Sequence, residues 1–169
     1  LRASAKKRFF ALAVSGAITT LGVAMATPAS ASSNPNYQAY HVYTSQPSNW
    51  TCGGTVTIDS VGIYGRTCIV LASDGASYQD VTIVNNTSGS ARQINTTSAS
   101  YVNNIEDTAY GFCLGFTNGT AQQPLAAHTA YYCPGHTFTA PHGASITGSG
   151  FSIVISGGQG TTSVGPVIR

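Results

Sequence analysis

The chain is 169 residues long and carries 7 Lys or Arg, 5 Asp or Glu and 4 His, so charged residues make up 7% of it, against about 25% in an ordinary soluble domain. So few cations exclude a nucleic-acid binder working through a basic face, and 42% hydrophobic residues make the chain too apolar to stay disordered. Ionised groups for acid or base chemistry are scarce.

Residues 1–31 read as a cleaved secretory signal peptide. Arg2, Lys6, Lys7 and Arg8 form a basic start, the run from Phe9 to Ala26 carries no charge, and Ala29-Ser30-Ala31 offers the small side chains that a signal peptidase accepts. Gly16, Thr19, Thr20, Gly22 and Pro28 dilute the apolar run, which disfavours a retained membrane helix. Cleavage after Ala31 removes four of the 7 basic residues and none of the 5 acidic ones, leaving a net acidic chain without lysine. Nucleic acid and anionic lipid are then poor partners. No second apolar span of about 18 residues follows, so the expected product is secreted and extracellular, with no membrane contact after cleavage.

Residues 32–51 read as a polar, aromatic N-terminal arm. Ser33, Asn34, Pro35, Gln46, Pro47 and Ser48 alternate there with Tyr37, Tyr40, Tyr43 and Trp50, a composition of extended chain rather than of a packed element. Residues 52–169 form the domain proper. Its strand candidates are 55–63, 67–72, 79–84, 92–97, 110–116, 129–133, 145–155 and 161–168. Val56 and Ile58, or Val81 and Ile83, alternate with polar neighbours as a half-buried strand requires. Ser73-Asp74-Gly75 and Asn85 to Ser90 have turn chemistry. No apolar pattern recurs at helical spacing, so a parallel α/β fold lacks its crossover helices. The expected fold class is all-β, an antiparallel sandwich of about 7–8 strands.

The four cysteines, Cys52, Cys68, Cys113 and Cys133, all follow the export signal, the pattern of a disulfide framework. Of three connectivities the expected one is Cys52–Cys68 with Cys113–Cys133, because each pair flanks a segment that can fold back as neighbouring strands. A zinc site is disfavoured, since no two cysteines stand at C-x-x-C spacing.

Asp80-Val81-Thr82-Ile83-Val84-Asn85-Asn86-Thr87-Ser88-Gly89-Ser90-Ala91-Arg92 and Pro124-Leu125-Ala126-Ala127-His128-Thr129 resemble the Ig-like modules of bacterial surface and secreted proteins. In those, a strand ends in Asn before a polar turn and a later Leu-Ala-x-Gly-type turn opens another strand, with His128 standing here where Gly is usual. The chain is also similar to small secreted proteins of actinobacteria. The resemblance implies an Ig-like sandwich and a bacterial origin, and it transfers no activity or site residue. Asn-x-Ser/Thr triplets at Asn49, Asn85, Asn86, Asn95 and Asn118 are then turn and strand composition rather than glycosylation sites.

No constellation points to catalysis or to a cofactor. His41, His128, His136 and His142 match no ligand spacing, and the serine-rich chain lacks a nucleophile-elbow motif. Asp59, Asp74, Asp80, Glu106 and Asp107 are too scattered to assign as paired carboxylates. The aromatics are more suggestive. Tyr37, Tyr40, Tyr43 and Trp50, with Tyr131 and Tyr132, are the candidate binding residues, forming a flat apolar surface of the kind that binds sugar rings. The competing expectation is that the arm covers an edge of the sandwich and buries its rings.

The expected protein is therefore non-enzymatic, with no metal or cofactor. It binds carbohydrate or a cell-envelope polymer, or serves as a structural surface protein, with Trp50 dispensable for folding. The alternatives are a secreted protease inhibitor presenting Cys133-Pro134-Gly135-His136 on a rigid loop, and a small-molecule carrier. The sequence leaves the oligomeric state open.

Overall fold

The computed structural model describes residues 37–73, 75–106, 111–114 and 124–168. The expected signal segment 1–31, the start of the expected arm, and the positions Asp74, Asp107 and Asn118 lie outside the described residues. Among the described residues there is no helix, and the strands, in chain order, are β1 (Tyr37–Gln38), β2 (His41–Tyr43), β3 (Trp50–Cys52), β4 (Val56–Asp59), β5 (Ile63–Leu71), β6 (Ser77–Asn86), β7 (Ile94–Val102), β8 (Ile105–Glu106), β9 (Gly111–Leu114), β10 (Thr129–Thr139), β11 (Ser145–Val154) and β12 (Gln159–Ile168).

They form two sheets. The first runs β1-β9-β7-β11-β12 with β8 on β7, and the second runs β2-β10-β6-β5-β3 with β4 on β5. Every pairing is antiparallel except the short β1–β9 contact. The described strands outnumber the expected 7–8 because the arm contributes three and the two-residue β8 adds another. β1 joins the first sheet, while β2 and β3 join the second on opposite edges. Pieces of two or three residues are too short to show an alternation, which is why the sequence reads them as unpacked chain.

One hairpin is displaced from its expected place. The 55–63 candidate is broken at Ser60–Gly62, where Asp59 Oδ1 accepts a hydrogen bond from Val61 N at 3.2 Å and Gly62 takes a φ of +100°, a region open to glycine at no steric cost. Strand β5 then starts at Ile63 and carries Tyr64, Gly65 and Arg66, which the sequence reading leaves between two strands. Gly65 is a packing glycine: a Cβ there would lie 2.6 Å from Ile58 Cδ1 and 3.2 Å from Thr162 Cγ2.

The sheets face each other across a core in two apolar lobes. Tyr40, Ile58, Ile63, Val84, Ile94, Leu125, Tyr131 and Val154 fill one, and Ile69, Tyr78, Ala140, Ala144, Ile146 and Val164 fill the other. Between them the interface is polar, with Asp80 and Thr82 buried on the face of β6 that carries Tyr78 and Val84. Thr67 Oγ1 and Thr162 Oγ1 share a hydrogen bond, and Thr82 Oγ1 donates to Ser98 Oγ at 3.0 Å. The Tyr40 hydroxyl lies 2.8 Å from Thr96 Oγ1, which is itself 2.9 Å from Ser152 Oγ. Several Ser and Thr thus lie inside the molecule, where hydroxyl meets hydroxyl. The Ser100 hydroxyl, also buried, has no hydrogen-bond partner.

Both disulfides pair as expected, and their roles differ. Cys52 and Cys68 lie directly opposite on β3 and β5, inside one sheet. Cys113 on β9 and Cys133 on β10, with Cα atoms 5.6 Å apart, tie the first sheet to the second, so this pair does not join neighbouring strands. Closing loops of this size stabilises by about 3 kcal/mol each in the chain-entropy model, and two disulfides are consistent with an oxidising, extracellular location.

His128 has a φ of +54°, the left-handed conformation, in the turn just before β10. Asn86 ends β6 at 0% exposure. Its Nδ2 lies 2.9 Å, 3.0 Å and 3.1 Å from the carbonyl oxygens of Ser90, Leu125 and Ala126, and its Oδ1 accepts from Ser88 N and Oγ. That side chain pins the turn after β6 to the Arg92–Leu125 bridge.

Candidate functional site on the outer face of the second sheet

Strand alternation sorts the aromatic residues. Neighbouring residues on a strand point to opposite faces, so Tyr131 and Tyr132 part company, Tyr131 into the inter-sheet core and Tyr132 outward. Tyr40 also turns inward, at 5% exposure, with its hydroxyl donating to the Ile94 carbonyl at 2.8 Å. Burial pushes its phenol well above the usual tyrosine range, against a smaller opposing effect of the Thr96 hydrogen bond. Tyr37 pairs through its backbone with Phe112. The six expected binding residues therefore do not form one surface.

Three of them do meet, on the outer face of the second sheet. The ring of Trp50 lies 6.0 Å from that of Tyr43 and 5.4 Å from that of Tyr132, the latter edge-on, and His41 stacks on Tyr132 at 5.1 Å. Beneath them lie Cys68, Val70, Val81 and Ile83, with the Cys52–Cys68 bridge alongside. Trp50 is only 6% exposed and its Nε1 has no hydrogen-bond partner. It is the centre of a small outer core, which corrects the expectation that Trp50 is an exposed, structurally dispensable contact. Partial burial also raises the Tyr132 phenol. The competing expectation has the arm cover an edge of the sandwich and bury its rings; β2 and β3 take the two edges of this sheet, and Tyr40 and Trp50 are buried.

Beside this cluster the face opens into a depression of about 180 Å³ lined by Tyr43, Thr55, Tyr64, Gly65, Arg66, Ile83, Asn85 and Ala130. Register explains the company: Tyr43, Ala130, Asn85 and Tyr64 stand opposite one another across β2, β10, β6 and β5, and Tyr132, Ile83 and Arg66 form the next row. Tyr64 is 37% exposed and Asn85 is exposed, so a phenol ring and a carboxamide both face solvent at the rim.

Arg66 is the one cation in the lining. Its Nη2 donates to the Tyr43 hydroxyl at 2.7 Å, while its guanidinium carbon is 5.6 Å from the Tyr43 ring centroid. The short contact places the guanidinium at the hydroxyl end of the ring. No described carboxylate faces it: Asp59 accepts from Gly158 N and Val61 N beside Arg92, Asp80 lies wholly buried near Gly135, and Glu106 belongs to β8 of the other sheet.

The sequence reading missed Tyr64, Arg66 and Asn85. Tyr64 and Arg66 are two residues apart around Gly65, the spacing of one strand face, and that signal becomes visible once the hairpin turn is placed at Ser60–Gly62. Cys133-Pro134-Gly135-His136 is not a presented loop but the middle of β10, with Pro134 and Gly135 buried. His128 and His142 are exposed on turns and His136 is half-buried on β10. Among the described residues, no three of His, Cys, Asp and Glu are grouped to hold a metal ion, and no helix is long and apolar enough to cross a membrane.

No protein-family model, curated protein or solved structure matches the chain.

Proposed function

We propose that this chain is a secreted, non-enzymatic Ig-like sandwich protein that binds carbohydrate or a cell-envelope polymer through the depression between Tyr43 and Tyr64. The observation that carries this reading is an exposed aromatic ring set beside neutral hydrogen-bonding groups: Tyr64 with Asn85 and Thr55 around a floor of Ile83 and Ala130. Phenol faces accept the apolar side of a pyranose, and amide and hydroxyl groups satisfy its rim. At about 180 Å³ the depression lies below the range of roughly 300–1,000 Å³ of pockets for drug-sized ligands, which suits one ring of a longer chain. Two facing sheets tied by a disulfide between β9 and β10 support the Ig-like classification, and the basic, then apolar, residues 1–31 with two disulfides support export.

The test is co-sedimentation of the oxidised protein with insoluble polysaccharides and purified cell walls, with Tyr64→Ala as the site variant. Depletion from the supernatant on at least one polymer, reduced about tenfold or more by Tyr64→Ala with the fold intact, is the expected result. Absence of retention on every polymer removes the reading, and slowed turnover in a protease panel in its place establishes an inhibitor.

A further inference from the structure

The proposed site contains a charge that a neutral glycan would leave unused. Arg66 is half-buried in mid-strand, flanked across the sheet by Ile83, and spends one N–H on the Tyr43 hydroxyl. A guanidinium has five N–H donors, and the others have no partner among the described residues. Arginine is rare in this chain: only Arg66 and Arg92 occur in the described part, and Arg92 lies by Asp59. A cation placed in a depression with no counter-charge is complementary to an anion brought by the ligand.

We infer that the depression is an acidic-sugar subsite, in which Arg66 takes the carboxylate of a uronic-acid-type pyranose while Tyr64 packs on the ring. This rests on the carbohydrate reading above and deepens it. Three features favour a carboxylate on a sugar over a bare or multiply charged anion. A lone arginine neutralises a single charge. The bond to Tyr43 fixes one end of the guanidinium and leaves its other edge free for the two parallel N–H···O bonds that match a planar carboxylate. The adjoining Tyr64 ring, Asn85 carboxamide and Thr55 supply the contacts that a pyranose needs and an isolated ion does not.

Tyr43 acts here as a positioning residue, since it holds the guanidinium from the cluster side. It is itself held by Trp50, whose ring lies 6.0 Å away. The outer core and the depression are thus mechanically one unit: the buried tryptophan supports the tyrosine, the tyrosine orients the arginine, and the arginine faces the ligand.

The experiment compares polygalacturonate with its fully methyl-esterified form, which keeps the ring and deletes the charge, using the oxidised protein at low and moderate salt. A neutral glucan and a phosphodiester-bearing wall polymer complete the panel. The expected result is that polygalacturonate binds about ten- to a hundredfold more tightly than the ester, the size of a charge-assisted contact. Arg66→Gln should erase that preference while leaving residual binding of the ester, and Arg66→Lys should restore it only in part. Rising salt should weaken polygalacturonate binding with a slope near one charge. Equal binding of acid and ester overturns the inference and leaves the carbohydrate reading standing. Preference for the phosphodiester polymer overturns the carboxylate assignment, and binding of no glycan overturns both readings. Should Arg66→Gln fail to fold, the comparison of acid with ester on the unaltered protein decides alone.

Discussion

Thr67 and Thr162 meet across the sheet interface with hydroxyl oxygens 2.6 Å apart, both at 2% exposure or less. Thr162 Oγ1 also lies 3.4 Å from the Gly150 carbonyl, so it can donate there while accepting from Thr67. Losing Thr162 strands the Thr67 hydroxyl, whereas losing Thr67 leaves Thr162 a second acceptor. Thr162→Val should therefore cost about 1–3 kcal/mol and Thr67→Val less, while the double variant, which buries no orphan, should be less destabilised than Thr162→Val alone. Urea denaturation of the parent, the two singles and the double closes this cycle. Strict additivity of the two single costs would contradict the arrangement.

The same interface explains why sheet faces so rich in Ser, Thr and Gly can pack at all. A Cβ at Gly150 would fall 2.6 Å from Thr82 Cγ2 and 2.8 Å from Thr162 Oγ1. The two sheets approach there more closely than any side chain allows, and hydroxyl pairs fill the space beside the glycine. Gly150→Ala must push the sheets apart along this line.

Trp50 sits under Tyr43 and Tyr132 at 6% exposure. Trp50→Ala removes the largest side chain of the outer core and should destabilise by about 3–5 kcal/mol, the usual cost of truncating a buried aromatic. Chemical denaturation followed by far-ultraviolet circular dichroism measures it. A loss below 1 kcal/mol would mean that the ring is not packed as described. Because the indole Nε1 has no partner, Trp50→Phe, which removes that unsatisfied donor, should cost far less than the alanine variant.

How far the sequence reveals this molecule depends on the length of the signal. The ten-residue β11 shows its alternation plainly, whereas β6 is buried on both faces, with Val81 and Ile83 outward under the arm and the polar Asp80 and Thr82 inward. Both bridges pair as expected, though only Cys52–Cys68 joins neighbouring strands. The arm is opaque because β1, β2 and β3 are each shorter than two alternation periods. Tyr131 and Tyr132 are a different case: adjacent residues on a strand cannot share a face, so grouping them on one binding surface contradicts the strand assigned to them. The site was hidden by Gly65. A glycine between Tyr and Arg reads as a turn, and only the close approach of Ile58 and Thr162 shows it to be a packing position inside β5.

Tyr40 predicts how the fold fails in alkali. Its phenol is buried and raised above the ordinary value near 10. A group raised in the folded state contributes stability that is complete below its unfolded pKa and drains away as pH climbs toward the folded one. Stability should hold to about pH 9 and fall progressively above pH 10. Tyr40→Phe should lose about 1 kcal/mol at neutral pH, for the bonds to Ile94 and Thr96, and show a shallower alkaline decline. Some slope must remain, since burial raises Tyr132 as well. Urea midpoints between pH 7 and 11 test this, and an unchanged slope in the variant would contradict it.

Asn86 bears on the site through its neighbour. Asn85 and Asn86 face opposite ways at the end of β6, one to the depression and one to the core. Of the three carbonyls that Asn86 serves, Leu125 keeps Arg92 N and Ser90 keeps the Ser88 hydroxyl when the carboxamide is removed. Asn86→Ala should thus leave the Ala126 carbonyl as the principal loss and cost about 1–3 kcal/mol. The effect should be local in hydrogen exchange, fastest at the Ser88 amide, which donates to Asn86 Oδ1, and at the Arg92–Leu125 bridge that the side chain supports. Asn86→Asp should be worse than alanine, because a carboxylate then faces three carbonyl oxygens with nothing to donate. With the end of β6 loosened, Asn85 loses its fixed position opposite Tyr64 and Ala130. Glycan affinity should fall in Asn86→Ala even though Asn86 lies beneath the sheet and touches no ligand. Unaltered affinity together with faster exchange would separate the carboxamide of Asn85 from the binding site.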